Sequence, residues 1–355
     1  MLRGCRNISR FDGLPAVGCV LPGHFYIEVV MKRDHGGNLG WAARHYGGAL
    51  EEWIDLSTGI NRQPYGLPPI SSRAWSVLPT QEATSGLVLA ARQAYRTEAA
   101  ILPLAGAQAA IQLVPSLSAP GTARIISPTY NEHASALRTM GWQVEEVARL
   151  EDLVGADLAV VVNPNNPDGR RYEPEKLLAL LPRLTRLVVD ESFGDPYPKF
   201  SMAPHAGHAG LLVLRSFGKF YGLAGMRLGF ALGHEADIAA MAERAGPWPV
   251  CGPALEIGAR ALADVEWSRA TTARLMNEIN LMDEPALQAK WQVIGGTCLF
   301  RLYEVPDASE AQAYLARHRI WSRIFPYSKT WIRLGMPGCD MEWARYQDAV
   351  SRYNP

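Results

Sequence analysis

The chain has 355 residues, of which 48% are hydrophobic, so it can build one large domain with a smaller one beside it. Its 35 basic and 35 acidic residues balance, which argues against a protein that binds nucleic acid or anionic membranes through bulk charge. Five scattered cysteines without a Cys-x-x-Cys pair favour reduced thiols in the cytoplasm over disulfides or a zinc site. No stretch reaches the roughly 20 apolar residues of a membrane span.

Residues 1–30 do not have the pattern of a signal peptide, because Pro15, Pro22 and Glu28 interrupt any apolar core that such a peptide needs. They also lack a clear helical or strand period. We therefore predict that residues 1–30 are a disordered or misassigned leader, with Met31 as an alternative start.

The middle of the chain alternates short apolar, β-branched runs with helical patterns, which is typical of an α/β fold with a parallel sheet covered by helices. The predicted strands are buried on both faces: Ala123–Ser127, Leu158–Val162, Leu187–Val189, Leu211–Leu214 and Leu228–Leu232. Helices are predicted at Glu132–Met140, where Gly141 ends the pattern, and at Glu173–Leu181, with Pro174 in the first turn.

The pattern changes from about residue 239. Two predicted helices, Ala254–Asp264 and Trp267–Met282, precede a strand pair near Thr297–Tyr303 and Thr330–Gly335. We predict three parts after the leader: residues 31–70 as an N-terminal arm and part of a small α+β domain, 71–240 as the large domain, and 241–355 as the C-terminal small domain.

Unusual side chains follow four of the predicted strands at their carboxyl ends, where the loops of a parallel sheet converge and ligands bind. They are Tyr130, the loop Asn163–Gly169, Asp190 and Lys219. Each alone has a plainer interpretation: the loop as a turn, Asp190 as a helix cap, Lys219 as a solvated side chain. Their joint occurrence at strand ends favours a catalytic site.

Pyridoxal phosphate (PLP) chemistry requires this set of groups. Lys219 would link covalently to the cofactor, Asp190 would keep its ring nitrogen protonated, Asn166 would donate to its ring oxygen, and Tyr130 would stack on the ring. For the phosphate we predict the backbone of Gly106, Ala107 and Gln108 at a helix start, with Ser216 and Arg227 adding a hydroxyl and a guanidinium.

The string from Arg215 to Gly229, with a serine three residues before Lys219 and an arginine eight after it, resembles the lysine motif of the class I/II aminotransferases, which are fold-type-I PLP enzymes. Asn163–Gly169 resembles their Asn-Pro-x-Asn-Pro loop, and Asp190–Phe193 their Asp-Glu-Ala-Tyr/Phe box. The resemblance implies a mostly parallel central sheet in a large PLP-binding domain, a smaller α+β domain, and a homodimer.

Three further residues are interpreted through this resemblance. Tyr65 resembles the tyrosine that reaches the PLP phosphate of the neighbouring subunit. Two positions depart from the family pattern: Gly218 replaces a usual Ser or Thr, and Phe193 stands where many aminotransferases carry a tyrosine that contacts the ring oxygen. Asn166 is then expected to make that contact alone.

The N-terminal motifs His35–Asn38, Asp55–Asn61 and Pro64-Tyr65 resemble those of the threonine-phosphate decarboxylases of cobalamin biosynthesis. That resemblance implies conversion of L-threonine O-3-phosphate to (R)-1-aminopropan-2-yl phosphate. The related histidinol-phosphate aminotransferases share the catalytic motifs, so those motifs leave aminotransfer open as the alternative reaction.

The choice between these reactions depends on which substrate group is anchored, because the bond perpendicular to the cofactor ring is the one that breaks. We predict that His35, Asn166, Arg323 and Arg333 bind the substrate, the arginines through its anionic groups. The plainer interpretation makes both arginines surface residues and His35 structural.

The sequence argues against two other classes of protein. A catalytically silent member of the fold is disfavoured because Lys219, Asp190 and Arg227 are intact. A metal hydrolase built on His205 and His208 is disfavoured because no Glu accompanies them in a Gly/Ala-rich segment, so no metal is expected.

Overall fold

The computed structural model describes residues 35–353. The predicted leader at residues 1–30 and the alternative start at Met31 lie outside the described residues. No helix within the described part of the chain is both long and apolar enough to span a bilayer.

Three sheets organise the described chain, and their strands in chain order are as follows: β1 (Ile54–Asp55), β2 (Ala100–Leu104), β3 (Thr122–Ile126), β4 (Gln143–Val147), β5 (Leu158–Val162), β6 (Arg186–Asp190), β7 (Leu211–Ser216), β8 (Gly229–Gly233), β9 (Gln292–Thr297), β10 (Phe300–Glu304), β11 (Ile320–Trp321), β12 (Arg323–Phe325) and β13 (Ser328–Gly335). The largest sheet has seven strands in the order β2-β8-β7-β6-β5-β3-β4.

Five of the seven strands, β3 to β7, run parallel, as the apolar runs predict. The strand predicted at Leu228–Leu232 is present as β8, but it runs antiparallel to both β7 and β2. The sheet is therefore mostly parallel, as predicted, with β8 and β2 as its antiparallel part. The predicted run at 228–232 does not carry direction, because direction is set by the connection 217–228, which returns the chain from β7 to pair beside it.

Every residue of β5 and β8 is buried, which is why these strands are apolar along their whole length. The sheet is covered on both faces, since two separate hydrophobic clusters share its strands. One contains Val161, Val189 and Val213, and the other contains Val160, Val188 and Leu212. Alternate residues of each strand thus face opposite layers.

The helices surround these sheets: α1 (Leu39–Tyr46), α2 (Ser72–Ser76), α3 (Gln81–Tyr95), α4 (Ala107–Leu113), α5 (Asn131–Thr139), α6 (Pro174–Leu178), α7 (Phe217–Phe220), α8 (Glu235–Ala245), α9 (Gly252–Ala263), α10 (Val265–Gln288), α11 (Ala308–Arg317) and α12 (Asp340–Ser351). Asp264 begins α10 by accepting a hydrogen bond from the Trp267 N–H, so α10 starts two residues before the predicted start.

The second sheet is antiparallel, in the order β12-β13-β10-β9, and packs with α10, α11 and α12 around its own hydrophobic cluster. The strand predicted near Thr297–Tyr303 is two strands, because a turn between Thr297 and Phe300 separates β9 from β10. β1 pairs in parallel with β11, which brings residues 54–55 beside residues 320–321. The division at residues 71 and 240 stays a prediction.

Candidate active site

The strands β5, β6 and β7 end side by side at one edge of the large sheet. Val162 lies opposite Asp190, and Asp190 opposite Leu214, so the residues that follow these strands share that edge. The Asn163 N–H donates to the Asp190 carbonyl over 2.8 Å. The topology therefore brings the predicted amide, carboxylate and amine groups to one rim of the sheet.

The Asp190 carboxylate is buried and fully engaged. His133 Nε2 lies 2.8 Å from one carboxylate oxygen, while the N–H and hydroxyl of Ser192 donate to the other over 2.9 and 2.5 Å. Burial alone raises the pKa of Asp190, but the hydrogen bonds to His133 and Ser192 outweigh it and hold that pKa below its ordinary value. The group is therefore an anion held in a fixed orientation.

Lys219 lies on α7, directly after β7, and is half-buried. Its Nζ lies 5.3 Å from the centre of the Phe193 ring. Burial, together with the positive charges of Arg333 and Arg227, lowers the pKa of Lys219 to about 8, and the charge of Asp190 partly opposes this. The charges of Asp190 and both arginines thus act on the amine, which loses its proton at a lower pH than an ordinary lysine does.

Gly218, one of the two departures from the family pattern, has a steric reason. A Cβ at this position would lie 2.6 Å from the Cα of Ala224, so the chain has no room for a hydroxyl-bearing side chain. The other departure, Phe193, packs edge-on against Phe300 with 4.9 Å between ring centres. Gly59 fits between these rings, because a Cβ there would lie 2.8 Å from each.

In the Asn163–Gly169 loop, two asparagines bind the backbone and a third faces a predicted substrate-binding residue. Asn163 donates to the Tyr172 carbonyl over 3.0 Å, and Asn165 to the Pro128 carbonyl over 3.0 Å, so both amides are structural. Asn166 instead accepts a hydrogen bond from Arg333 Nη1.

Arg333 is buried on β13, and its Nη2 donates to the Ser57 carbonyl over 2.8 Å. Its guanidinium carbon lies 5.1 Å from the centre of the Phe300 ring. Arg323 is its direct cross-strand partner on β12. Burial and the charge of Arg323 lower the pKa of Arg333 to about 10. Two guanidiniums that face each other across neighbouring strands present paired positive charge, which suits an anionic ligand.

A second cationic corner lies at the start of α4. Gly106 has φ +82°, and a Cβ there would lie 2.6 Å from Nη2 of Arg227, so the guanidinium packs directly over the bare backbone. Gly229 allows a similarly close approach, since its Cβ would lie 2.3 Å from the Ala107 nitrogen. Arg227 is exposed and Ser216, at the end of β7, is half-buried. These groups fit a phosphate.

Tyr130 and Gln108 belong to one hydrogen-bond chain beside this corner. The Tyr130 hydroxyl donates to Gln108 Oε1 over 3.2 Å, and Gln108 Nε2 donates to Glu132 over 2.8 Å. The Tyr130 ring is edge-on to the His133 ring at 6.2 Å. Tyr130 is thus beside the histidine that contacts Asp190.

The contacts of Tyr65 and the burial of His35 do not connect these two residues to the groups described above. The Tyr65 hydroxyl donates to Asp264 over 3.3 Å, and its ring packs edge-on against Trp267 at 5.2 Å. His35 is the first described residue and is half-buried. The predicted roles of both stay predictions.

Sequence reasoning missed three residues that the fold brings to this site: His133, Ser57 and Asn61. His133 had a local signal, since it follows Tyr130 by three residues at the start of α5 and so shares its side of the first turn. Ser57 and Asn61 belong to the Asp55–Asn61 motif, but nothing in their spacing indicates contact with residues more than 150 positions away. His205 and His208, the candidate metal ligands, lie in or beside a short 3₁₀ turn, with 6.4 Å between ring centres.

The comparisons agree with this geometry. Residues 81–347 match the family "Aminotransferase class I and II". The chain therefore belongs to this family of PLP-dependent enzymes, and the buried anion at Asp190, the amine of Lys219 and the Arg227–Gly106 corner fit that cofactor.

More particularly, the chain is 44% identical over 324 residues to the threonine-phosphate decarboxylase of Pseudomonas aeruginosa, a match that covers 89% of this chain and 97% of the relative. It is 42% identical over 326 residues to that of Sinorhizobium sp, covering 90% and 97%. It belongs with the threonine-phosphate decarboxylases of the family, while histidinol-phosphate aminotransferases are more distant in sequence.

The fold is shared more widely than the sequence. The histidinol-phosphate aminotransferase from Sinorhizobium meliloti, solved in complex with pyridoxal-5'-phosphate, superposes with a TM-score of 0.77 over 93% of this chain and 98% of that chain, at 19% identity. This likeness confirms the fold class and does not by itself distinguish the reaction.

Proposed function

We propose that this enzyme decarboxylates L-threonine O-3-phosphate to (R)-1-aminopropan-2-yl phosphate, the linker used in cobalamin biosynthesis. The observation that carries the proposal is the cross-strand pair of Arg323 and Arg333, whose charges act on each other beside the Lys219 amine. Two adjacent guanidiniums suit the dianionic phosphate of such a substrate.

In this proposal Lys219, Asp190 and Arg227 hold the cofactor, with Tyr130, Ser216 and the backbone of residues 106–108 beside them. PLP, when bound, withdraws electrons from the bond that breaks at the substrate's Cα. Asp190 supplies a fixed negative charge for the ring nitrogen, and its contacts with His133 and Ser192 keep that carboxylate ionised and oriented. Asn166 provides the amide for the ring oxygen.

The arginines select the reaction in this mechanism. Arg323 and Arg333 would hold the substrate phosphate and leave the carboxylate without a guanidinium partner, so that the Cα–carboxylate bond would be the one that breaks. CO₂ leaves with the bonding electrons left behind, and Lys219 then gives a proton to Cα as a general acid. A site whose arginines bound the carboxylate instead would favour loss of the Cα proton and transfer of the amine.

The test incubates the holoenzyme with threonine phosphate and no oxo acid. We expect CO₂ and aminopropanol phosphate to form at the same rate with and without 2-oxoglutarate. Histidinol phosphate with 2-oxoglutarate is the parallel arm. Turnover that requires 2-oxoglutarate would overturn the decarboxylase proposal in favour of the aminotransferase.

Replacing Arg323 with Gln should raise KM for threonine phosphate by about 10- to 100-fold, since one charge-assisted contact is worth about 1.5–3 kcal/mol. Arg333→Gln should raise KM and also lower kcat, because Arg333 additionally holds Asn166. Steady-state kinetics with threonine phosphate measures both values. Arg317→Gln, at an exposed position on α11, is the matched control. An unchanged KM in both site variants would remove the arginines from substrate binding.

Cofactor binding to the apoenzyme should speed up as pH rises toward about 8 and then level off. The neutral amine is the nucleophile, and the pKa of Lys219 is about 8 instead of 10.5, so the amine is mostly deprotonated above pH 8. Stopped-flow absorbance of added PLP measures the rate. Arg333→Gln removes a positive charge that lowers this pKa, so the pH at which the binding rate levels off should be higher in this variant. A rate that climbs steadily to pH 10 would contradict the lowered pKa.

We further propose a cytoplasmic homodimer, in which Tyr65 reaches the partner's cofactor phosphate. Three exposed apolar side chains in the segment that follows Tyr65 support an interface there: the exposed fractions are 64% for Leu67, 70% for Trp75 and 62% for Leu78. Sedimentation should give twice the mass of one chain, and Trp75→Glu should reduce it to a single chain. A wild-type monomer with full activity would contradict this.

A further inference from the structure

The segment after β1 runs directly against the loop that carries the lysine. The Asn61 N–H donates to the Lys219 carbonyl over 2.9 Å, and the Tyr65 N–H donates to the Tyr221 carbonyl over 2.9 Å. Gly222 has φ +69°, and a Cβ there would lie 2.5 Å from the Asn61 carbonyl oxygen. The two backbones are therefore closer than any side chain at position 222 would permit.

The Asn61 side chain adds a second contact to the same loop. Its Nδ2 donates to the Phe220 carbonyl over 3.0 Å. Its Oδ1 accepts from the Gln63 N–H over 3.0 Å and from Arg274 Nη2 over 2.8 Å. Asn61 is 2% exposed, so these bonds do not compete with water. One buried residue thus holds two successive carbonyls, those of Lys219 and Phe220.

Arg274 connects this contact to the long helix α10. Its Nη1 donates to both carboxylate oxygens of Glu278 over 2.8 Å, so its second nitrogen is directed at Asn61. Glu278 is buried. The orientation of the Asn61 amide is therefore set from α10, which carries none of the predicted site residues.

The helix that carries Lys219 needs this support. α7 contains only four residues, Phe217–Phe220, and a helix of one turn has little stability of its own. The carbonyls at its carboxyl end have few local donors: the Lys219 carbonyl accepts a bond from the Gly222 N–H over 3.3 Å. Asn61 supplies two further donors, its N–H to the Lys219 carbonyl and its Nδ2 to the Phe220 carbonyl.

We propose that Asn61, oriented by Arg274, is a positioning residue that fixes the backbone of Lys219 and so aims its amine at the cofactor. The inference rests on the proposed role of Lys219 as the cofactor-bearing and proton-returning residue. A misplacement of about 1 Å in a catalytic group can cost about 10²-fold in rate. Asn61 does not touch the substrate in this proposal, so its loss should affect kcat and not KM.

The experiment compares Asn61→Ala, Arg274→Ala and Arg274→Lys with the wild-type holoenzyme. Three readouts are needed: kcat and KM, the pH at which PLP binding to the apoenzyme levels off, and the melting temperature. We expect Asn61→Ala to lower kcat about 10- to 100-fold with little change in KM. The pH at which PLP binding levels off should move away from about 8. Arg274→Lys should retain most of the kcat that Arg274→Ala loses, because lysine keeps a cationic donor.

Tyr346→Phe is the control for stability alone, since it removes a buried hydroxyl that donates to the Met282 carbonyl in the small sheet's cluster. It should lower the melting temperature and leave both other readouts unchanged. If Asn61→Ala behaves like this control, the positioning role is wrong and Asn61 only stabilises the fold. If Asn61→Ala does not fold, Arg274→Ala, which removes a single bond to Asn61, decides the matter by the same readouts.

The cofactor titration needs no substrate, so it separates this inference from the proposed reaction. In one outcome, the pH at which PLP binding levels off moves in Asn61→Ala, as expected, while the wild type does not decarboxylate threonine phosphate. That outcome would overturn the proposed reaction and keep the positioning role. If the wild type decarboxylates threonine phosphate but this pH does not move in Asn61→Ala, the positioning role alone is overturned.

Discussion

Lys219→Ala should abolish turnover, with a loss on the order of 10⁴-fold or more, and should also remove the covalently held cofactor. The physical reason is that one amine performs both tasks: it bonds to PLP and it returns a proton to the substrate. No other lysine among the described residues follows a central strand at the edge where Asp190 lies. Reduction with borohydride followed by mass spectrometry measures the covalent link directly.

Lys176→Ala is the matched control, because Lys176 is an exposed lysine on α6. It should keep full activity and the visible absorbance of the bound cofactor. Retention of both properties in Lys219→Ala would reject the central assignment. Exogenous methylamine should partly restore proton transfer in Lys219→Ala if the amine acts as the general acid.

Asp190→Asn should lower kcat by about 10²- to 10³-fold while PLP still binds. The amide has the same shape and can still accept from Ser192, so the fold and the cofactor pocket are retained. What is lost is the negative charge that stabilises a protonated ring nitrogen, and with it much of the cofactor's capacity to accept electrons. Steady-state kinetics and a PLP titration by absorbance separate the two effects.

Asp283→Asn provides the comparison, since Asp283 also accepts charged hydrogen bonds, from Arg301, together with one from Tyr303. It should cost stability without changing kcat. Equal activity of Asp190→Asn and wild type would show that the ring nitrogen is not held by this carboxylate. A deficit confined to cofactor affinity would assign Asp190 to binding alone.

The chemistry of the strand ends could be predicted because it is local. A strand buried on both faces is apolar throughout, so the first polar residue after it marks the edge where ligands bind, as at Asp190. Lys219 follows the end of β7 within three residues. Strand position and side-chain chemistry therefore coincide in the sequence, and the same holds for Asn166 after β5.

Contacts between distant segments could not be predicted in this way. His133 and Asp190 are 57 positions apart, and Asn61 and Phe220 are 159 positions apart. Their hydrogen bonds exist because α5 and the segment after β1 fold over the sheet edge. Asn61 in a Gly-Ile-Asn string looks like an ordinary turn residue, since its amide partners are backbone carbonyls that carry no side-chain signal.

The sequence by itself determined the class of the fold and the family, and it singled out Lys219 as the lysine proposed to carry the cofactor, because apolar periodicity and a run of specific motifs are properties of neighbouring residues. Only the tertiary structure decided that β8 is antiparallel, that Arg323 lies opposite Arg333, and that Asn61 and Arg274 hold the lysine loop. Strand direction, cross-strand pairing and long-range hydrogen bonds are set by how whole elements pack, and no local stretch of sequence encodes that packing.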